Sequence, residues 1–312
     1  MRALVTGGAG FIGSNLSMEL WSAGHEVVAL DDFSTGHFEN LKDFGGDVVA
    51  ADISEPAQWQ AQVGRIDAVF HQAAITDTTV TDQKLMMKVN VEAFRGLLAW
   101  AGERGVRHVV YATSAGVYGD SAVPMREAAK PKPLNVYAFS KRVMETVAAE
   151  AQSRWPKMRV IGLRYFNVFG PREGFKGKAA SMIWQLAEHM LAGRNPRIFE
   201  FGEQYRDFIY IKDVVAANLK AANPKAPAGV YNVCTGRKTT FNEIIAMLNA
   251  TLRTKRQIEY FKNPYSFYQN ETLGDPARAE KALKFRAQFS VAQGIEDYFK
   301  AGVAGAPRAV AV

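Results

Sequence analysis

Glycines at positions 7, 10 and 13 constrain this chain more than any other feature. In Leu4-Val5-Thr6-Gly7-Gly8-Ala9-Gly10-Phe11-Ile12-Gly13, they fall between an apolar run at residues 2–6 and a helical pattern at 11–23. Apolar residues at Ile12, Leu16 and Leu20 put one face of that helix on a sheet, and Gly24 ends it. A strand, glycine turn and helix in this order provide a tight turn, backbone bare of Cβ and free N–H groups at a helix N-terminus. Those are the requirements of a bound pyrophosphate. The residues expected to hold a dinucleotide are therefore Gly7, Gly10, Phe11, Ile12 and Gly13. A tight turn without a ligand is the competing reading.

Apolar runs at 26–30, 47–50, 68–71, 108–113 and 159–164 alternate with helical patterns, including 137–155 and 178–191. That alternation predicts βαβ units. The expected fold is α/β, a Rossmann-like doubly wound parallel sheet with a smaller C-terminal α/β substrate region. Beyond Asn167 the repeat gives way to loops rich in Gly, Pro and aromatics, short strands at 208–211 and 230–233, and a helix at 241–252. The expected division is a nucleotide-binding part at 1–166, a mainly substrate-binding part at 167–300 and a flexible tail at 301–312.

The chain of 312 residues is 48% hydrophobic and 22% charged, which excludes a disordered or fibrous protein. Its net charge of +7 favours anionic partners, but the basic residues are dispersed, so no nucleic-acid partner is expected. No apolar run reaches the roughly 18 residues that cross a bilayer, and no signal peptide precedes the glycine turn. Cys234 is the only cysteine, which rules out an intrachain disulfide and a multi-thiolate metal site. The expectations are no metal, no membrane partner and a cytoplasmic location.

Asp31 and Asp32 follow the second strand, where a carboxylate accepts hydrogen bonds from ribose hydroxyls. They favour NAD. NADP is second, because a 2′-phosphate would be repelled there and no Arg or Lys follows before Lys42, leaving only His37 to help. Asp52 ends the third strand and is placed either to meet adenine or to cap a helix over 54–60. After the fourth strand, His71-Gln72-Ala73-Ala74 supplies small Ala73 and Ala74 where a cofactor approaches, while Asn90 is either a cofactor contact or a local helix residue. Tyr137 and Lys141 are four apart, hence on one helix face, and an ammonium beside a phenol lowers its pKa. With a cationic nicotinamide, the pair makes Tyr137 a candidate base that also touches the cofactor. Ser114 ends the fifth strand, where it could hold a substrate oxygen or simply cap a turn.

The glycine loop, Ser114, Tyr137 with Lys141, Arg164-Tyr165-Phe166-Asn167-Val168-Phe169-Gly170-Pro171-Arg172 and Arg206-Asp207-Phe208 together resemble the extended short-chain dehydrogenase/reductase family of nucleotide-sugar enzymes. The resemblance spans about residues 1–300. Lys132-Pro133-Leu134-Asn135-Val136-Tyr137 and Gly170-Pro171-Arg172-Glu173-Gly174-Phe175-Lys176-Gly177 are similar to its ADP-glycero-manno-heptose 6-epimerase branch. The resemblance implies epimerisation of a nucleotide-diphosphate sugar through a transient keto sugar. Tyr137 and Lys176 would be the acid/base pair, although binding the substrate diphosphate is an equal role for Lys176. It further implies that Arg206 grips the diphosphate, that Asn167 and Tyr268 line the sugar-nucleotide pocket, and that Lys178 and Gln185 lie in the substrate shell. There, Lys178 replaces a small polar residue and Gln185 a histidine, and the branch's NADP-linked Lys is missing after Asp32. A UDP-glucose (UDP-galactose) 4-epimerase is the nearest alternative, and a non-catalytic NAD-binding sensor a remote one. A homo-oligomer is implied too, pairing through helix faces at 94–100 and 143–151.

Overall fold

The computed structural model describes residues 1–264 and 269–300, so the 301–312 tail lies outside the described residues. Among them, seven parallel strands form one sheet: β1 (Arg2–Thr6), β2 (Glu26–Asp31), β3 (Asp47–Ala50), β4 (Ala68–His71), β5 (His108–Ser114), β6 (Arg159–Tyr165) and Gly229–Val233. Across the sheet they run Gly229–Val233, β6, β5, β4, β1, β2, β3. The chain thus leaves β1 in one direction and returns to its other side at β4. A crevice opens at such a reversal, beyond the carboxyl ends of the strands.

Both faces of the sheet are covered, which is why its strands read as near-continuous apolar runs. Ala3, Val5, Phe70, Val110 and Ile161 pack with the Phe11–Ser22 and Ile211–Ala221 helices. Leu4, Val28, Val69, Val109 and Val160 turn the other way, towards the Ala93–Glu103 and Val136–Arg154 helices. Consequently the faces expected to pair two subunits point inward: Phe94, Leu97, Leu98, Trp100, Val147, Ala148 and Ala151 are all buried within this chain. Their periodicity is that of a sheet-packing helix, which sequence alone cannot distinguish from an interface.

The Gly229–Val233 strand pairs with β6, so the region beyond residue 166 completes the nucleotide-side sheet. No cut at 166 leaves that sheet whole. The helix expected from residue 178 begins at Met182, because Ala180 and Ser181 are extended and the Ser181 hydroxyl caps it by accepting from Trp184 N at 3.1 Å. The preceding turn, Gly174–Ala179, is a 3-10 segment.

Candidate active site

The glycine loop occupies the crevice between β1 and β4. Gly7 has φ 66°, and a Cβ there would stand 2.7 Å from Ala73 N, so both the turn and the close approach exclude a larger residue. A Cβ on Gly13 would run into the Gly7 carbonyl, so the helix start sits directly on the turn. Asp31 is buried, and its carboxylate accepts from Ala9 N and from Phe33 N, both at 2.9 Å. Burial, and secondarily the neighbouring Asp32, raise its pKa against these hydrogen bonds. It braces the loop while keeping lone pairs for a ribose. Asp32 is exposed and accepts from Ser34 N and Oγ. A bare-backbone cradle ending in a braced carboxylate fits a dinucleotide.

Asp52, Asn90 and Ala73 also make local hydrogen bonds on the nucleotide side. Asp52 accepts from Ser54 N at 2.7 Å in a turn, while Glu55 stands at the N-cap of the Pro56–Trp59 helix, so Asp52 is not that helix's cap. Asn90 is fully buried: its amide nitrogen donates to Ile75 O and Ser140 Oγ, and its oxygen accepts from Ile75 N at 2.8 Å. Through these bonds its side chain shapes the loop after β4 from behind. In that loop Ala73 N donates to Thr6 Oγ1 at 3.3 Å, and Ala73 and Ala74 are half-buried.

Beyond the ends of β5 and β6 lies a cavity of about 550 Å³ whose walls include Phe11, Ile12, Ser114, Tyr137, Lys141, Asn167, Lys176 and Arg206. The Asn135 side chain accepts from Ala138 N at 2.8 Å and so fixes where the Val136–Arg154 helix starts. That start puts Tyr137 and Lys141 on the turn facing the cavity. Ser114 combines both roles considered for it: its Oγ caps the next turn by accepting from Gly116 N at 3.0 Å and also hydrogen-bonds Tyr137.

The expected effect of Lys141 on Tyr137 is not what the folded chain provides. Burial raises the Tyr137 pKa, and the bond with Ser114 offsets part of that rise. Lys141 is 2% exposed, its Nζ donates to Ala112 O at 3.0 Å, and burial brings its pKa down to about 7. Its Nζ stands 5.8 Å from the centre of the Tyr137 ring. An ammonium half titrated near neutrality contributes only part of a charge to its neighbour. Desolvation therefore outweighs the pairwise effect that spacing predicts.

Lys176 reaches the same cavity from the 3-10 segment, with Nζ 5.6 Å from the Phe11 ring centre. Burial lowers its pKa, opposed by the nearby Glu173 carboxylate. Arg206 donates to Tyr205 O at 2.9 Å and Asn270 O at 3.0 Å, with its guanidinium 5.9 Å from the Phe241 ring centre. Next to it, fully buried Asp207 accepts from Thr235 N, Gly236 N and Gly274 N and is raised to about 6 by burial. Asn167 accepts from Thr272 Oγ1 at 3.3 Å.

Lys178 and Gln185 are not among the lining residues. Lys178 is exposed, and Gln185 donates to Lys178 O and to Ala180 O, tying that stretch to the helix. The 3-10 turn points the two lysines, two residues apart, to different sides. Tyr268 lies outside the described residues.

Sequence reasoning missed Gln72 and Tyr165, which line the cavity from strand ends and hydrogen-bond each other at 3.2 Å. The strand-end rule that found Ser114 would have found both. It also missed Phe199, Phe241 and Phe261, brought to the cavity from three separate elements with no shared local signal.

Residues 3–234 match the family described as NAD dependent epimerase/dehydratase. The structure is similar to Helicobacter pylori ADP-L-glycero-D-manno-heptose-6-epimerase, with TM-score 0.89 and 41% identity, covering 96% of this chain and 95% of that one. Thermotoga maritima UDP-glucose 4-epimerase, solved with UDP-glucose, has TM-score 0.89 and 29% identity over 96% of this chain and 99% of that one. The Thermus thermophilus UDP-glucose 4-epimerase complex with NAD has TM-score 0.86 and 29% identity over 97% and 100%. With the family model matching residues 3–234 and 41% identity to a solved relative over 96% of its length, the chain belongs to the NAD-dependent epimerase/dehydratase family.

Proposed function

We propose that this protein is an NAD-dependent nucleotide-diphosphate-sugar epimerase that inverts C6 of an ADP-linked heptose, using Tyr137 and Lys176 as its two acid/base groups. The observation that carries the reading is that Lys176 joins Tyr137 and Ser114 on the walls of one cavity. The 41% identity to the heptose epimerase, against 29% to the 4-epimerases, supports the same choice of sugar.

Gly7, Gly10, Gly13 and Asp31 would hold NAD, which would supply the hydride acceptor and donor for a carbinol carbon. Ser114 hydrogen-bonds the sugar hydroxyl and aligns it with Tyr137. One acid/base group takes the hydroxyl proton as the carbon is oxidised. After the carbonyl has turned in the cavity, the other group returns a proton to the same oxygen. Two groups on different walls suit an oxygen that presents itself in two orientations. Lys176 can take a proton only as the neutral amine, which its burial favours. Arg206 pairs with the diphosphate, where a guanidinium matches two oxygens at once. The buried thiol of Cys234 suits a reducing compartment, and we place the enzyme in the cytoplasm.

Proton NMR of the protein with ADP-D-glycero-D-manno-heptose, and with UDP-galactose in parallel, tests the reading. Inversion at C6 of the heptose is expected, and Lys176→Met should lower its kcat by about 10²–10⁴-fold. Inversion of UDP-galactose at C4 alone would replace the heptose reading with that of a 4-epimerase and reduce Lys176 to a substrate ligand.

A further inference from the structure

We propose that Glu173 is a positioning residue for Lys176, joining the two ends of the segment that presents the amine to the cavity. The inference rests on the reading of Lys176 as an acid/base group. Glu173 is fully buried, and besides the Tyr298 hydroxyl its carboxylate accepts from three donors that belong to distant ends of one loop. Oε1 accepts from Gly170 N at 2.9 Å and Ser181 Oγ at 3.0 Å, while Oε2 accepts from Ser181 N at 2.6 Å. Gly170 follows the Asn167–Phe169 strand, and Ser181 caps the Met182–Leu191 helix. One side chain thus closes a loop of about ten residues, at whose centre Lys176 N donates to Glu173 O at 2.9 Å.

The far side of the loop docks on the nucleotide cradle. Asn15 Nδ2 donates to Pro171 O at 3.0 Å, and the Phe175 ring stacks on His37 with centroids 3.8 Å apart. Lys176 is therefore held between a carboxylate clamp behind it and the start of the first helix in front. A neutral amide could satisfy only part of the clamp, because its NH2 would face another N–H donor. A carboxylate accepts at both ends.

The charge has a second effect. Burial lowers the Lys176 pKa and Glu173 opposes it, so the same carboxylate sets both where the amine sits and how readily it keeps its proton. The titratable groups facing Glu173 are Lys176 from its own segment and Tyr298 from the Val291–Lys300 helix. Burial brings Glu173 itself up to about 7.

Acetic anhydride labelling of the full chain with its bound cofactor, over a range of pH and read at Lys176 by peptide mass spectrometry, tests this without a sugar substrate. In Glu173→Gln the Lys176 labelling midpoint should move to lower pH, while exposed Lys178 keeps its profile. Turnover should fall by ~10²-fold in kcat with KM within about twofold, as expected for a displaced catalytic group. Glu173→Asp should keep the midpoint near that of the original chain but not recover kcat, because the shorter arm retains charge and loses the span. Ser181→Ala removes one arm and should lower kcat by about tenfold, which decides the matter if Glu173→Gln does not fold. A Lys176 profile unchanged in Glu173→Gln, or an unaltered kcat in Ser181→Ala, would overturn the proposal. A shifted midpoint in a protein that epimerises neither sugar would support the control of Lys176 by Glu173 and count against the proposed reaction.

Discussion

At the scale of single residues, the site is governed by desolvation. Tyr137 and Lys141 have the spacing of a cooperating pair, yet burial moves the phenol up and the amine down, each away from its charged form. Tyr137→Phe should lower turnover by about 10³-fold, measured by the NMR assay, with an unchanged circular dichroism spectrum. Lys141 leads to a prediction for stability. Its pKa is near 7 when folded and 10.5 when exposed, so between those values the unfolded chain binds the extra proton. Its contribution is complete above about 10.5 and is lost as pH falls through that window. Lys141→Met should remove this dependence, so that urea midpoints of the variant and the original chain differ most near pH 7 and converge near 10.5. A constant difference across the window would contradict the shift. The spacing of the pair was legible in the sequence. The sign of its electrostatics was not, because desolvation depends on what covers the helix.

At the scale of elements, the Val136–Arg154 helix is fastened to the sheet by a buried ion pair. Arg164 on β6 donates to Glu145 through Nε at 2.8 Å and Nη2 at 2.7 Å, and Thr113 on β5 donates to the same carboxylate at 2.9 Å. Tyr118 lies under the guanidinium, 4.7 Å from its carbon. Thr113 lines the cavity and precedes Ser114, so this network links helix placement to the geometry of the site. Glu145→Ala leaves a desolvated guanidinium and should destabilise the protein by about 3–5 kcal/mol in urea unfolding. Replacing both partners, Glu145→Leu with Arg164→Met, should restore most of that loss, since a matched apolar pair carries no unpaired charge. A double variant as unstable as the single one would contradict the account. Strand positions were readable from apolar runs almost to the residue. This pair was not, for Glu145 falls on an ordinary helix pattern and its partner is 19 residues away.

At the scale of the whole molecule, the order of strands decides what can be separated. Gly229–Val233 covers the open edge of β6, and Asn232 in it accepts from Tyr118 OH at 2.6 Å. A fragment of residues 1–166 would expose that edge and the core beneath it. We expect it to aggregate or to lack NAD binding in fluorescence titration, whereas residues 1–300 should bind as the full chain does. A folded, NAD-binding 1–166 fragment would show that the seventh strand is dispensable. Self-association has a narrower basis in the two helices than the family resemblance implied. With the apolar faces turned inward, the outward surface of the two helices carries Arg95, bridged to Glu150 at 3.0 Å and Glu92 at 3.5 Å. A dimer formed there should weaken with salt, which sedimentation velocity at low and high ionic strength would detect.

The sequence by itself determined the elements whose causes are local. The strand, glycine turn and helix at the start follow from steric freedom at Gly7, and the Tyr137–Lys141 face follows from helical spacing. Long buried strands announced a sheet covered on both sides. Tertiary structure alone decided which lysine of the 176–178 turn enters the cavity, how far burial shifts Tyr137 and Lys141, and that Glu173 reaches both ends of its loop. It also decided that a strand from residue 229 onward completes the sheet. The division has one physical reason. Torsional preference and periodicity act between near neighbours and are written in order along the chain, whereas desolvation and long-range hydrogen bonding depend on groups that only folding brings together.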